Sequence, residues 1–341
     1  MTLCRCLGYD DDYSFNHWNH WFVGSHLAEY LLAETDWSIV GMTRWQDDLS
    51  NVQLLIPLVN EGKRVCFGYG DLGDPLELEA VVEFARPDYI FHLAAQSYPP
   101  ASYRAPIETM RTNVQGTMLL MDAILRHVPN AWIHNCSSSE VYGNPDKTPI
   151  TEDTPFHPLS PYAISKASAD MIGRFYYEAY GLKVLTTRMF THTGPRRGDV
   201  FAESSFAKQI AMIEVGQLDP PIKVGNLDSL RTIADVRDAV RAYYMLLTHN
   251  PIAGEVYNIG GTHVCTVGQI LETLCEIAGH NYPIEVDKAR LRPLDATNQV
   301  PDCTKFLTHT NWRPEIPFQQ TMTDLLNYWR DKVKTGAYLT R

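Results

Sequence analysis

Tyr89-Ile-Phe-His-Leu-Ala-Ala95 is an unbroken apolar run. A strand reads this way when both its faces are covered, as in a parallel sheet with helices packed on each side. The neighbouring segments keep the same rhythm. Residues 24–32 carry apolar side chains at helical spacing, 37–42 and 64–69 read as strands, and 75–84 as a helix. A further helix is expected over 112–127 and a further strand over 131–136. Such alternation over roughly 150 residues predicts an α/β fold built on a doubly wound parallel sheet. Beyond Arg188 the chain is richer in Gly, Pro and turns, with helices expected over 206–215, 236–247 and 267–278. That half is expected to form a smaller substrate-capping part interleaved with the last sheet strands. The shift in character divides the chain into 1–188 and 189–341.

Hydrophobic residues make up 45% of the 341 and charged ones 20%, ample material for a core. Asp and Glu number 40 against 29 Lys and Arg, a formal net charge of -11. Such a surface repels phosphate backbones and argues against nucleic acid as the partner. An anionic substrate would need a local arginine cluster working against that field. The seven Cys are scattered without metal-ligand spacing, which predicts reduced thiols, a cytoplasmic setting and no metal site. Asp10, Asp11 and Asp12 stand where a secretory leader would need apolar residues. No run of about 18 apolar residues is present to span a membrane.

Tyr162-Ala-Ile-Ser-Lys166 sets a phenol and an ammonium four residues apart, hence on one face of a helix. A nearby ammonium favours phenolate, so the tyrosine is expected to act as a base far below its ordinary value of about 10. Alone the pairing is weak, since a half-buried Tyr beside a surface Lys looks the same. Its setting strengthens it. Ser137-Ser-Ser-Glu-Val-Tyr-Gly143 follows the 131–136 strand, and ligands of such sheets bind beyond the carboxyl ends of the strands. In an extended segment Ser138 and Glu140 point the same way. A hydroxyl, a carboxylate and a Tyr–Lys pair around one substrate are what reversible oxidation followed by elimination needs.

These motifs resemble those of the extended short-chain dehydrogenase/reductase family and, within it, the nucleotide-sugar 4,6-dehydratases. From Phe22 to about Val333 the similarity is to the GDP-mannose 4,6-dehydratase group, which includes enzymes of GDP-manno-heptose. It rests on Phe91-His-Leu-Ala-Ala-Gln-Ser97, Ser137–Gly143, Pro195-Arg-Arg-Gly198, Gly225-Asn-Leu-Asp-Ser-Leu-Arg231 and Leu291-Arg-Pro293. The resemblance implies a Rossmann-type fold, NADP as cofactor and a GDP-sugar substrate. By it, Tyr162 with Lys166 takes the C4 hydroxyl proton, Glu140 takes the C5 proton, and Ser138 bonds the C4 oxygen, where the family usually has Thr. It places Gly24, Asp71, Leu72, Leu93, Ala94, Ala95, Ser97, His192 and Arg197 near the cofactor, with Tyr162 and Lys166. Arg44 stands after the 37–42 strand, where an acidic residue would hold a ribose 2′-hydroxyl. A cation there suits a 2′-phosphate, hence NADP over NAD. Arg231 and Arg292 look like clamps on the diphosphate, with Lys208 nearby and Ser97 and Thr191 toward the sugar. Thr191 replaces the group's frequent Asn before His192.

One expected element is absent. The family's Gly-x-x-Gly-x-x-Gly turn brings a pyrophosphate close to a helix N-terminus. Gly24 supplies its third glycine, but Trp21 and Trp18 stand at the other two, within the tandem Asn16-His-Trp-Asn-His-Trp21. Asn-His-Trp can be encoded AAT CAC TGG; read one nucleotide later, with A following, this gives Ile-Thr-Gly. The doublet then becomes Ile-Thr-Gly-Ile-Thr-Gly, which restores the turn directly before Phe22. Residues 1–21 are therefore read as a frameshifted version of the first strand and its loop.

The leading expectation is an NADP-dependent GDP-sugar 4,6-dehydratase. The alternatives are a GDP-4-keto-6-deoxy-sugar reductase, and an inactive GDP-sugar-binding protein if residues 1–21 are genuine. A homodimer or homotetramer follows from the resemblance.

Overall fold

The structure is a computed structural model that describes residues 22–338. Short runs rich in apolar and β-branched side chains form its strands. In chain order they are β1 (Ile39–Thr43), β2 (Val65–Tyr69), β3 (Tyr89–His92), β4 (Trp132–Cys136), β5 (Lys183–Met189) and β6 (His192–Thr193). They continue with β7 (Ile222–Val224), β8 (Leu230–Asp235), β9 (Val256–Ile259), β10 (His263–Thr266), β11 (Ile284–Val286) and β12 (Asn298–Gln299).

The fold is α/β, with parallel sheets at its centre. Strands β3, β4, β5 and β9 form a parallel sheet in the order β3-β4-β5-β9. Strands β1 and β2 form a separate parallel pair. Alternate side chains of β1 nonetheless join the same two layers as those of the larger sheet. Val40 and Met42 pack with Ile90 and Ile133 on one side, while Ile39 packs with Phe91 and Leu185 on the other. The pair thus continues the layers of the sheet, although no ladder joins β1 to β3 among the described residues. Both layers are covered by helices, as the unbroken apolar run at β3 requires.

The helices begin and end where local chemistry dictates. Pro161–Tyr180 starts on Ser160, whose Oγ accepts from the Ala163 amide, and ends on Gly181 at φ 72°. Val267–Ala278 starts with a reciprocal Thr266–Gln269 capping box. The helix expected over 112–127 is longer than the pattern indicated. It opens with Pro106–Met110, passes through one wide turn at Arg111–Gln115 and continues as Gly116–His127. Pro106 at the first helical position fits that earlier start.

After β5 the chain builds a second sheet of mostly shorter strands and a separate two-stranded pair. Strand β8 pairs with β10 antiparallel and with β6 and β12 in parallel, and β7 pairs with β11. Phe206, Ile210, Ile270, Leu274, Leu326 and Trp329 close an apolar cluster beside it. Strand β9 returns to the large sheet. Residues 1–21, with the displaced reading frame proposed for them, lie outside the described residues.

Candidate active site

A cavity of about 780 Å³ opens at the carboxyl ends of β3, β4 and β5, facing the second sheet. The first turn of the Pro161–Tyr180 helix brings Tyr162 into its wall, and the next turn brings Lys166; both are buried. Lys166 Nζ donates to the Cys136 carbonyl at 2.9 Å, and the Ser137 hydroxyl donates to the Lys166 carbonyl at 3.4 Å, which ties the helix to the end of β4. The Tyr162 phenol lies well above its ordinary value because burial disfavours phenolate, with a Ser138 hydrogen bond opposing the shift. This runs against the expectation of an acidified tyrosine: in the protein alone, desolvation outweighs the Ser138 hydrogen bond and the Arg197 charge that oppose it.

Ser138 and Glu140 do not lie on an extended segment. Ser139–Tyr142 is a single tight helical turn that Ser138 caps, its Oγ accepting from the Glu140 amide at 3.3 Å. Gly143 ends the turn at φ 59°, and a Cβ there would stand 2.0 Å from the His157 carbonyl oxygen, so only glycine fits. The turn still directs Ser138 and Glu140 into the cavity. Glu140 Oε1 lies 3.4 Å from Arg292 Nη1.

Opposite this turn stands the cationic group that the acidic surface required. Lys208, Arg231 and Arg292 all line the cavity, as do Ser97, Thr191, His192 and Arg197. Arg231 and Arg292 reach Asp295 at 3.5 and 3.4 Å, and Lys208 reaches Asp199 at 2.7 Å. Arg197 lies over the Phe201 ring, 3.4 Å from its centroid, with Glu203 at 3.4 Å. His192 stacks on Phe22 and is pushed down to about 3, by burial first and by Arg197 second.

A smaller cavity of about 240 Å³ lies beyond β1 and β2, lined by Arg44, Trp45, Gln46, Tyr69, Gly70, Asp71 and Glu77. Arg44 turns its guanidinium onto Asp47, with Nε and Nη2 at 2.9 and 2.8 Å from Oδ1. Trp45 and Tyr69 meet at 5.0 Å between ring centroids while remaining largely exposed. A cation and an exposed aromatic pair at the ends of adjacent parallel strands make this a candidate site for a nucleotide base and ribose.

Leu93 and Ala95 line the large cavity, whereas Gly24, Leu72 and Ala94 line neither. Sequence reasoning overlooked Asp295, which holds both arginines; an acidic residue three positions after Arg292 was the available signal. It also overlooked Tyr98 and Arg104 in the cavity wall. Among the described residues no cluster of His, Cys, Asp or Glu could hold a metal ion, and no helix is long and apolar enough to cross a membrane.

The pattern of GDP-mannose 4,6 dehydratase matches residues 21–325. A GDP-6-deoxy-D-mannose reductase of Pseudomonas aeruginosa is 32% identical over 316 residues, covering 92% of this chain and 95% of that protein. GDP-mannose 4,6 dehydratase 1 of Arabidopsis thaliana is 30% identical, covering 92% and 90%. The solved structure of RMD from Pseudomonas aeruginosa, complexed with NADPH, superposes with a TM-score of 0.77 at 30% identity, covering 91% of this chain and 96% of that one. A match over this much of its length means that the chain belongs to the GDP-mannose 4,6 dehydratase family.

Proposed function

We propose that the protein is an NADP-dependent GDP-sugar 4,6-dehydratase, a hydro-lyase that converts GDP-mannose or GDP-manno-heptose to the 4-keto-6-deoxy product. One observation carries the choice: a carboxylate, Glu140, shares a cavity with the Tyr162–Lys166 pair and with Lys208, Arg231 and Arg292. A reductase needs a proton donor at C4 but no carboxylate to remove a C5 proton.

Arg231, Arg292 and Lys208 neutralise the diphosphate and orient the sugar toward β4. Tyr162 takes the C4 hydroxyl proton and Ser138 hydrogen-bonds the same oxygen. Ser97, Tyr162, Lys166 and His192 line the place where a nicotinamide would be held, and it would supply reversible hydride storage between C4 and C6 with no net oxidant consumed. The C4 ketone acidifies the C5 hydrogen, which Glu140 removes and then delivers to the departing C6 hydroxyl as water; once C6 has been reduced, C5 takes a proton, which balances the one Tyr162 removed from the C4 hydroxyl. Burial keeps the proton on the Tyr162 phenol in the protein alone, so its work as a base calls for positive charge beside it, which Lys166 together with a bound oxidised nicotinamide would supply.

Mass spectrometry of separate GDP-mannose and GDP-manno-heptose incubations tests the reading. Loss of one water without net consumption of NADPH supports it. The 32% identical reductase favours a second reading, which predicts net NADPH consumption on a 4-keto-6-deoxy substrate and no water loss. Substrate binding without turnover would instead leave a GDP-sugar-binding protein.

For the cofactor, we expect Arg44→Ala to weaken adenosine 2′,5′-bisphosphate binding about 10- to 100-fold, leaving adenosine 5′-monophosphate binding little changed. Calorimetric titration of both nucleotides decides it; equal losses would sink the 2′-phosphate role.

We further propose a homodimer or homotetramer. Ile164, Met171 and Phe175 form an exposed apolar stripe on the Pro161–Tyr180 helix, with Met118 and Ile107 also exposed on the preceding helices. Sedimentation is expected to give at least a dimer, which Phe175→Glu breaks; a wild-type monomer at micromolar concentration would refute this. The cofactor half is read as ending at residue 188, with 189–341 mainly holding the sugar nucleotide. Among the described residues Cys136, Cys265, Cys275 and Cys303 are thiols outside any disulfide, which accords with a reducing, cytoplasmic setting.

A further inference from the structure

We infer that Glu140 and the substrate diphosphate compete for Arg292, so that docking of the diphosphate frees the carboxylate that works on C5. The inference rests on the reading of the cavity as a GDP-sugar site with Glu140 as its base.

Arg292 Nη1 lies 3.4 Å from both Glu140 Oε1 and Asp295 Oδ1, dividing one nitrogen between two carboxylates. A committed guanidinium closes a fork instead. Arg188 does this in the same protein, with Nε and Nη2 at 2.9 and 3.2 Å from the two oxygens of Asp170. Arg292 is thus attached loosely enough to exchange partners. Asp295 is the fixed point of the group: Asn226 Nδ2 and Ser229 Oγ donate to its Oδ2 at 3.3 and 3.0 Å, and Arg231 approaches its Oδ1 at 3.5 Å.

The backbone beneath these side chains is stitched together. Asn144 Nδ2 donates to the Asp295 carbonyl at 2.9 Å, the Thr297 amide donates to Asn144 Oδ1 at 2.6 Å, and Gln299 Nε2 donates to the Gly143 carbonyl at 3.0 Å. Glu140 and Arg292 therefore sit on one bonded platform, and exchange of partners needs only a side-chain rotation.

Charge supplies the driving force. Glu140 and Asp295 balance Arg231 and Arg292, so the local sum is zero before substrate arrives. A diphosphate diester adds about two negative charges and offers oxygens in the geometry that a guanidinium fork matches. Arg292 turns to it, Asp295 stays with Arg231, and Glu140 loses its counter-ion beside C5. The carboxylate is occupied while the site is empty and released when the leaving-group side of the substrate is anchored. Arg292 is in this respect a positioning residue for Glu140 as well as a diphosphate ligand.

Calorimetric titration of GDP, which cannot turn over, tests the competition in wild type, Glu140→Gln, Arg292→Ala and the double variant. Removing the competitor is expected to tighten GDP binding about 3- to 10-fold in the wild-type background and to change nothing once Arg292 is absent. Arg292→Lys, which keeps a cation, is expected to recover part of the tightening and guards against a misfolded Ala variant. Tightening of equal size in both backgrounds overturns the inference in favour of general charge removal. Unchanged or weaker binding in Glu140→Gln overturns it too, while GDP binding by the wild type leaves the substrate reading standing. Absence of GDP binding in every variant overturns both.

Discussion

Glu140→Gln is expected to lower the rate of water elimination by about 10²- to 10⁴-fold while sparing oxidation at C4. The replacement keeps the volume of the side chain but removes its negative charge and with it the proton acceptor. Tyr162, Lys166 and Ser138 are untouched by it, so the C4 hydroxyl still loses its proton and reduced nicotinamide accumulates to at most one equivalent per site. Tyr162→Phe is expected to stop both steps. Stopped-flow absorbance for the reduced nicotinamide, followed by mass spectrometry of the quenched sugar nucleotide, separates the two variants. Elimination within tenfold of wild type in Glu140→Gln would remove Glu140 from its role. The geometry behind the prediction is the tight turn at Ser139–Tyr142, which holds the carboxylate in the cavity that Tyr162 enters from the neighbouring helix.

Acid is expected to unfold the protein steeply. His26, His92, His134 and His192 are pushed down from 6.5 to about 4, 3, 3 and 3. Burial is the largest cause for each; Arg196 adds to it at His26, Lys166 at His92, His92 and Lys166 at His134, and Arg197 at His192. The native state holds these rings neutral, whereas the unfolded chain protonates them near 6.5, so the unfolded chain binds more protons below that pH. Their contribution is complete above 6.5 and drains away as pH falls toward the folded values. Each histidine contributes a slope of up to about 1.4 kcal/mol per pH unit, and four act together against a total stability of about 5–15 kcal/mol. Unfolding before about pH 4 is the expected outcome, followed by circular dichroism or calorimetry from pH 7 downward. His92→Asn combined with His134→Asn is expected to halve the slope whatever it does to stability at pH 7. A melting temperature that stays flat between pH 7 and 4.5 would refute the account.

Much of the sheet was legible because its code is local. The apolar run at β3, the strands at β1, β2 and β4, and the Tyr162–Lys166 spacing each depend on a few neighbouring residues. The turn at Ser138–Tyr142 was not, since four residues carry no periodicity and an Oγ-to-amide cap looks, in sequence, like any polar segment. The phenol of Tyr162 was misjudged for a related reason: spacing shows the ammonium four residues on, but not the apolar wall that desolvates the ring. The contact of Glu140 with Arg292 spans 152 positions and the anchoring of Arg231 by Asp295 spans 64, and such pairs leave no trace in local pattern. The cationic lining itself was legible, because resemblance carried Lys208, Arg231 and Arg292 to one cavity. The carboxylate that organises two of them came only from geometry.

The bonds that join Asn144 to Asp295 and Thr297, and Gly143 to Gln299, also set a schedule for biogenesis. Ser138, Glu140 and Tyr162 are made early, yet the partners that brace their turn emerge some 150 residues later. A nascent chain arrested before Gln299 carries every group assigned to proton transfer, but with its turn unbraced. Competence at this site is therefore acquired near the end of translation, when the last third of the chain closes back on the first half.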